Sequence, residues 1–368
     1  MIDPEELGAW LRLLETPGVG RESARRLLAA FGSPQAVLAT STSARREVVG
    51  LVAATALAST SPNLDALIQT TLGWLSAETS VPRSVITLGH ALFPATLLHA
   101  ADPPLLLYAQ GRTELLAGEN LAVVGSRNPT RQGTDNARAF SANLSQAGLT
   151  IVSGLALGID AAAHEGGLEG SASTIAVVGT GLDRVYPKRH LSLAHRIAEK
   201  GLIVSEYSLG TPPLPENFPN RNRIIAGLSR GTLVVEAALK SGSLITARLA
   251  SESGREVFAI PGSIHSPQSR GCHALIQQGA KLVEAAQDIL EELRLPGNAA
   301  TATSAQTELA LEEDAVLTAL GFDPVSLEAL VARTDCSAAE LNVRLLELEL
   351  SGHIARLPGQ LFQRIATA

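Results

Sequence analysis

Apolar residues along the chain follow two different periods, and the change between them marks its organisation. Up to about residue 80 the Ala/Leu-rich runs Leu7–Leu14 and Ser23–Phe31 keep helical spacing, which predicts an all-helical segment. From Val81 to Gly118 short apolar stretches, Val85–Leu88 and Leu105–Tyr108, alternate with Pro-rich turns and read as lead-in strands. Then comes a strict alternation. Leu121–Val124, Thr150–Val152, Thr174–Val178, Leu202–Val204, Thr232–Val235 and Glu256–Ile260 are short β-rich runs separated by helical patterns. Strands alternating with helices predict a parallel, doubly wound, Rossmann-like α/β sheet. After a small, polar, aperiodic stretch beginning at Pro296, the runs Ala315–Leu320, Ser326–Arg333 and Ala338–Leu350 read as helices. A hairpin, Ile354–Leu357 with Leu361–Ile365, completes a winged-helix pattern. The expected organisation is a helical domain over 1–80, a Rossmann-like domain over 81–295, a linker over 296–308 and a winged helix over 309–368.

Composition narrows the function classes. With 45% hydrophobic residues and only 3% aromatics, the chain is globular and poor in rings for stacking bases. Two cysteines far apart exclude a disulfide framework or a CxxC zinc pair, which fits a reducing cytoplasm. The acidic N-terminus lacks a signal pattern and no apolar run approaches a membrane span, so a soluble cytoplasmic protein is expected, without membrane attachment. The net charge of −7 is unevenly placed: from Pro296 onward 4 Lys/Arg face 10 Asp/Glu, whereas residues 120–231 hold 11 against 8. The total sign therefore does not exclude a polyanion. The winged helix's presumed recognition helix carries Glu340, Glu347 and Glu349 against Arg344, so it is expected to contact protein rather than DNA.

The turns at the strand ends carry the chemistry. Gly125-Ser126-Arg127, Ser153-Gly154, Gly179-Thr180-Gly181 and Tyr186-Pro187-Lys188-Arg189 should meet at one sheet edge, beside Phe218-Pro-Asn220-Arg221-Asn222-Arg223. Backbone N–H groups at such turns, with planar guanidinium forks, suit phosphate. Several adjacent anion sites fit a polyanion better than one mononucleotide. In this groove Arg127, Lys188, Arg221 and Arg223 would neutralise phosphates, and Ser126, Gly154, Thr180 and Gly181 would supply amide or hydroxyl contacts. Arg221 and Arg223 could equally start a helix and pair with carboxylates. Neither G-x-G-x-x-G nor a Walker motif occurs, and no cofactor is expected. Asp160 and His164, four apart after Ser153, suggest a hydrolase triad only without a G-x-S-x-G elbow, so a buried structural pair is expected. His265, Cys272 and His273 lack a fourth ligand at familiar spacing, so no metal is expected. In the N-terminal segment Thr16-Pro-Gly-Val-Gly20, followed by Arg21, Arg25 and Arg26, has a helix-hairpin-helix form, although a purely structural turn explains it more simply.

Taken together, Val124-Gly-Ser-Arg127, Val152-Ser-Gly-Leu-Ala-Leu-Gly-Ile-Asp-Ala-Ala-Ala-His164, Phe218-Pro-Asn-Arg-Asn-Arg-Ile-Ile-Ala-Gly-Leu-Ser229, Ser241-Gly-Ser-Leu-Ile-Thr-Ala247 and Gly271-Cys-His-Ala-Leu-Ile-Gln-Gln-Gly-Ala280 resemble the DNA-processing protein A (DprA, or Smf) family. The resemblance runs over roughly residues 85–290; it is looser in both terminal domains. It implies a non-enzymatic protein that binds single-stranded DNA, forms a homodimer and loads the RecA recombinase during natural transformation and recombination. A single-stranded-DNA-binding protein is a further candidate partner. Family binding residues carry over to Arg127, Lys188 and the run Asn220, Arg221, Asn222, Arg223. The dimer region carries over to Leu275 and Ile276 with Leu282 and Val283. The rival reading is a nucleotide N-glycoside hydrolase with Glu236 as the acid. It lacks the Pro-Gly-Gly turn that such an enzyme would place before it.

Overall fold

The computed structural model describes residues 2–100, 102–295, 314–334 and 336–365. They fall into two compact units, one ending at Pro296 and one beginning at Gly297. The linker expected over 296–308 lies outside the described residues.

The first unit is built on a nine-stranded sheet. Its strands are β1 (Arg83–Thr87), β2 (Leu106–Gly111), β3 (Asn120–Val124), β4 (Thr150–Ser153), β5 (Thr174–Val177), β6 (Leu202–Ser205), β7 (Gly231–Val234), β8 (Glu256–Ala259) and β9 (Lys281–Leu282). They lie in the order β1-β2-β6-β5-β4-β3-β7-β8-β9. All pairs from β6 to β9 are parallel; β1 and β2 form an antiparallel hairpin whose second strand runs antiparallel to β6. Alternation of side chains divides each short apolar run between two faces. Ala122, Val124, Val152, Ile175 and Val177 join Ile224, Ile225 and Leu228 in one layer. Leu121, Val123, Ile151 and Leu233 join Ala137, Leu144, Ile159 and Ile289 in the other. Burial on both faces is why these strands read as unbroken hydrophobic runs.

Five helices, Pro4–Glu15, Arg21–Phe31, Pro34–Ala39, Thr42–Ala56 and Leu64–Ser76, precede the sheet. They do not close a core by themselves. Leu7, Leu11, Leu13 and Leu27 share one cluster with Val85, Leu105, Leu106 and Tyr108 of the edge hairpin and its approach. The boundary expected near residue 80 is thus crossed by continuous packing, because a single layer of short helices needs the sheet edge to bury its apolar face.

The second unit has helices Ala315–Leu320, Leu327–Arg333 and Ala338–Leu350 around Leu330, Leu341, Leu345 and Leu348. Beyond the hairpin β11 (Ile354–Leu357) and β12 (Leu361–Arg364) there is a third strand, β10 (Val325–Ser326), paired with β12. Val325 is buried, which ties this short strand to the core. The sequence pattern instead gives Ser326 to the following helix and Val325 to no element, since two residues carry no period.

Candidate nucleic-acid interface

The sheet order reverses at β3. From β3 the chain steps outward through β4, β5 and β6, then returns to place β7 on the other side of β3. At such a switch point the turns leaving the two strands diverge and open a crevice at their carboxyl ends. A groove of about 820 Å³ lies there, with Gly125, Ser126, Arg127, Lys240, Tyr186 and Phe218 among its walls. The β3 turn closes tightly: a Cβ on Gly125 would stand 2.6 Å from Ile159 Cγ1 and 2.9 Å from the Glu236 carbonyl oxygen. Only glycine lets the strand end approach the start of helix Ile159–Gly167 and the β7 turn together.

Arg127, Lys188 and Lys240 are exposed, as is Arg189 beside Lys188. Arg127 and Lys240 line the groove, while Lys188 stands two residues beyond Tyr186, which does. The Tyr186 and Phe218 rings lie 5.4 Å apart, and the Arg127 guanidinium sits 6.0 Å from the Phe218 ring. A cation thus adjoins a two-ring platform, although the chain as a whole is poor in aromatics. Lys240 and the ring pair were not singled out as site residues in the sequence. Tyr-Pro-Lys and Phe-Pro-Asn-Arg place aromatics beside cations, and that was the available signal.

The other expected contacts are placed differently. Ser126 N–H donates to the Glu236 carbonyl at 2.7 Å, Gly154 N–H to Asp160 Oδ2 at 3.1 Å, and Gly181 N–H to the Thr211 carbonyl at 3.1 Å. Thr180 is buried, and its carbonyl accepts the Ser205 hydroxyl at 2.7 Å. These amides are therefore spent inside the protein and do not form the phosphate cradle expected of them. The cause is general: a buried turn must satisfy its own N–H groups.

The arginines of helix Asn217–Leu228 part company. Residues two apart point to nearly opposite sides of a helix. Arg221 turns inward at 3% exposure, bonds the Val177 carbonyl, and still reaches the groove wall. Burial, reinforced by the charge of Arg127, lowers its pKa to about 10 against the pull of Asp160. Asn222 faces the groove and Asn220 is exposed at the start of the helix. Arg223 turns away to Glu206 and to Asp102, the latter at 3.3 Å. Arg21 and Arg25, which follow the Pro-Gly-Val-Gly hairpin, each bind the same Asp102 at 2.6 Å. Burial works to raise the Asp102 carboxyl, but the Arg25 hydrogen bond and the charges of Arg223 and Arg21 hold it below its usual value. Arg223 and the two hairpin arginines are thus committed to an ionic cluster joining the helices to the sheet. Phosphate neutralisation by Arg223 is corrected accordingly.

Two further constellations resolve as structural. His164 is fully buried: Nε2 accepts Leu155 N–H at 3.2 Å, and Nδ1 lies 2.7 Å from Thr174 Oγ1, which itself donates to Ile151. The imidazole is therefore neutral with its proton on Nδ1, and burial lowers its pKa to about 3. Ser153 Oγ donates to the Val123 carbonyl at 2.6 Å, so neither group is free for triad chemistry. Glu236 Oε1 and Oε2 accept the Thr130 hydroxyl at 2.5 Å and its N–H at 2.9 Å, and so hold the residue that caps helix Arg131–Gln146. This occupies both oxygens of the acid that the N-glycosidase reading needs. Cys272 is buried and His265 exposed; His273 bonds the Gly262 carbonyl at 2.9 Å.

Of the dimer candidates, Val283 belongs to the layer of Leu121 and Val123, and Leu275 and Ile276 are half-buried against the opposite layer of Ala122 and Val124. Leu282 is 44% exposed. In the second unit, helix Ala338–Leu350 exposes Val343, Leu346 and Leu350 opposite its buried Leu341, Leu345 and Leu348. Its one basic residue, Arg344, is bound to Asp314 and Glu347 at 2.6 and 2.7 Å. Among the described residues no helix is long and apolar enough to cross a membrane.

Comparison with known proteins bears on the whole of this arrangement. A family model described as DNA recombination-mediator protein A matches residues 84–294, and a DprA winged helix domain model matches residues 300–360. Protein Smf of Escherichia coli K12 is 43% identical over 301 residues, 79% of each chain. DNA processing protein DprA of Streptococcus pneumoniae is 51% identical over 200 residues, 54% of this chain and 71% of that one. The X-ray structure of DprA from S. pneumoniae superposes with a TM-score of 0.68 at 38% identity, covering 77% of this chain and 97% of that one. A structure of DprA from Helicobacter pylori, described for its single-stranded DNA binding mode, gives 0.53 at 32% identity over 58% and 95% of the two chains.

Proposed function

Because this chain belongs to the DNA recombination-mediator protein A (DprA/Smf) family, we propose that it binds single-stranded DNA in the switch-point groove and hands the strand to a recombinase without altering it chemically. The observation that carries the reading is the meeting of exposed Arg127 and Lys240 with the Tyr186–Phe218 ring pair in one open groove. Cations there neutralise phosphates, and rings accept the face of any base, so binding is strong at low salt and nearly indifferent to sequence. The DNA-binding set in this reading is Arg127, Lys188, Lys240, Asn220 and Asn222. Arg221 holds the wall in place from behind. That DprA from H. pylori is described for a single-stranded DNA binding mode supports strand binding by this fold.

The finer part of the proposal is that the recombinase is RecA, that the strand arrives by natural transformation, and that the protein works as a cytoplasmic homodimer. One groove holds a short segment. Two linked grooves raise the effective concentration for the second contact and keep a strand extended for filament nucleation. The acidic winged helix, with its exposed apolar stripe, then serves protein contact rather than DNA. The test is a titration of oligothymidylate at several salt concentrations, paired with RecA filament growth on DNA coated by a single-stranded-DNA-binding protein. Steeply salt-dependent binding with faster filament nucleation supports the reading. Nucleoside-monophosphate hydrolysis without strand binding would replace it with the N-glycosidase.

A further inference from the structure

Tyr186 lines two cavities. One is the groove; the other, of about 300 Å³, lies between helix Leu64–Ser76, the edge strands and helix Leu191–Lys200. The floor of the second is apolar, made by Leu155, Val178, Ala194 and Ile203. Its rim is planar and polar: Trp74, Tyr186 at 48% exposure, His195, Arg83 and Gln110. The backbone joins the two spaces as well, since Leu155 faces the small cavity and Ala156 the groove. Arg83 stacks its guanidinium over Trp74 at 5.2 Å and donates Nη1–H to the Trp74 carbonyl at 3.1 Å. Its buried Nε has no partner. The Gln110 carboxamide makes no hydrogen bond among the described residues. A space of this size, with an apolar floor, aromatic walls and unused donors and acceptors at the edge, has the chemistry of a site for a planar heteroaromatic ring.

We propose that the cavity walled by Trp74, Tyr186 and His195 is a second base-holding subsite, taking one nucleobase of the strand that leaves the switch-point groove past Tyr186. The proposal rests on the groove binding single-stranded DNA. It adds that the strand turns over Tyr186 toward the helical domain. The base enters on the apolar floor, and its edge meets the Gln110 amide at the rim. The helical domain then contributes to binding through Trp74, not through the hairpin arginines, which are held by Asp102. A free nucleotide offers the same ring without the tether, so the two sources must be compared directly.

The chain has two tryptophans, and the other, Trp10, is buried in the helical core. In a Trp10→Phe protein all tryptophan emission reports on Trp74. Oligothymidylates of increasing length are titrated while anisotropy of a labelled end measures binding; thymidine monophosphate is titrated in parallel. The expected result is binding without quenching for the shortest oligomers that occupy the groove. Strong quenching of Trp74 then sets in a few nucleotides beyond that length, and the monophosphate leaves the emission unchanged. Ala194→Met fills the floor; it should abolish the quench and weaken long oligomers about fivefold or more, the low end for one stacked base, with short oligomers unaffected. His195→Ala, at an exposed rim position, tests the same loss if the Met variant melts early. Binding of every length without a change at Trp74 overturns the subsite and leaves the groove standing, whereas absence of binding overturns the groove reading itself. Quenching by the monophosphate alone, or quenching that survives both variants, also overturns the proposal.

Discussion

The guanidinium of Arg221 lies against the bare backbone of Gly154: a Cβ on residue 154 would stand 2.0 Å from Nη1 and 2.3 Å from Cζ. With Arg221 also bonded to the Val177 carbonyl, this contact locks the β4 turn, the end of β5 and helix Asn217–Leu228 into one wall. Gly154→Ala must push the arginine out of its place. The expected cost is about 1–3 kcal/mol, as for overpacking elsewhere in a well-filled interior. A thermal melt should show a lower midpoint, and strand affinity should fall with it. An unchanged midpoint would mean that Arg221 does not pack against Gly154.

Exposed cations behave oppositely. Arg127→Ala and Lys240→Ala touch no core contact, so the melting midpoint should hold. Each lost phosphate contact should reduce the slope of log affinity against log salt by about 0.7. Oligothymidylate titrations from low to moderate salt measure it. If both variants keep the wild-type slope, the groove is not the strand's path.

His164 gives a pH signature. Its folded pKa, about 3, lies below the value of about 6.5 expected in the unfolded chain. The unfolded state therefore binds more protons between these values, and stability is lost as pH falls below about 6.5. This one group should remove about 0.7 kcal/mol per unit near pH 6.5, rising to about 1.4 kcal/mol per unit below about pH 5.5, where the unfolded imidazole is largely protonated. Denaturant unfolding at several pH values should show a shallower slope for His164→Gln. Equal slopes would show that the imidazole is not buried neutral.

Leu282 offers the cleanest probe of self-association, because its exposure lets a charge be introduced without unfolding the core. Leu282→Glu should sediment as a folded monomer and bind long strands more weakly and less cooperatively. A folded variant that stays dimeric removes this residue from the interface. A wild type that is monomeric at micromolar concentration ends the two-groove mechanism.

Deleting the chain from Pro296 should leave the first unit folded, since the two units are separately compact. Strand affinity should change by less than a few-fold if the acidic winged helix contacts protein. Much weaker binding after deletion would show that its arginines reach DNA despite Glu340, Glu347 and Glu349.

The sequence determined by itself what depends on local period and on turn chemistry. Alternating apolar runs and helical patterns specified a parallel doubly wound sheet, because a strand buried on two faces and a helix buried on one leave different marks. Gly125, Arg127 and the cluster of strand-end turns could be placed at one edge for the same reason. What only the tertiary structure decided is how each polar group spends its bonds. Arg221 and Arg223 are alike in sequence, yet a helix turns one to the Val177 carbonyl and the other to Glu206 and Asp102. The amides of Ser126, Gly154 and Gly181 looked free, and packing supplied each with an acceptor from a distant turn or the next helix. Tyr186 and Phe218, 32 positions apart, become one platform only when the loop after β5 meets the first turn of helix Asn217–Leu228. Partners of this kind are set by three-dimensional proximity, and no period along the chain encodes it.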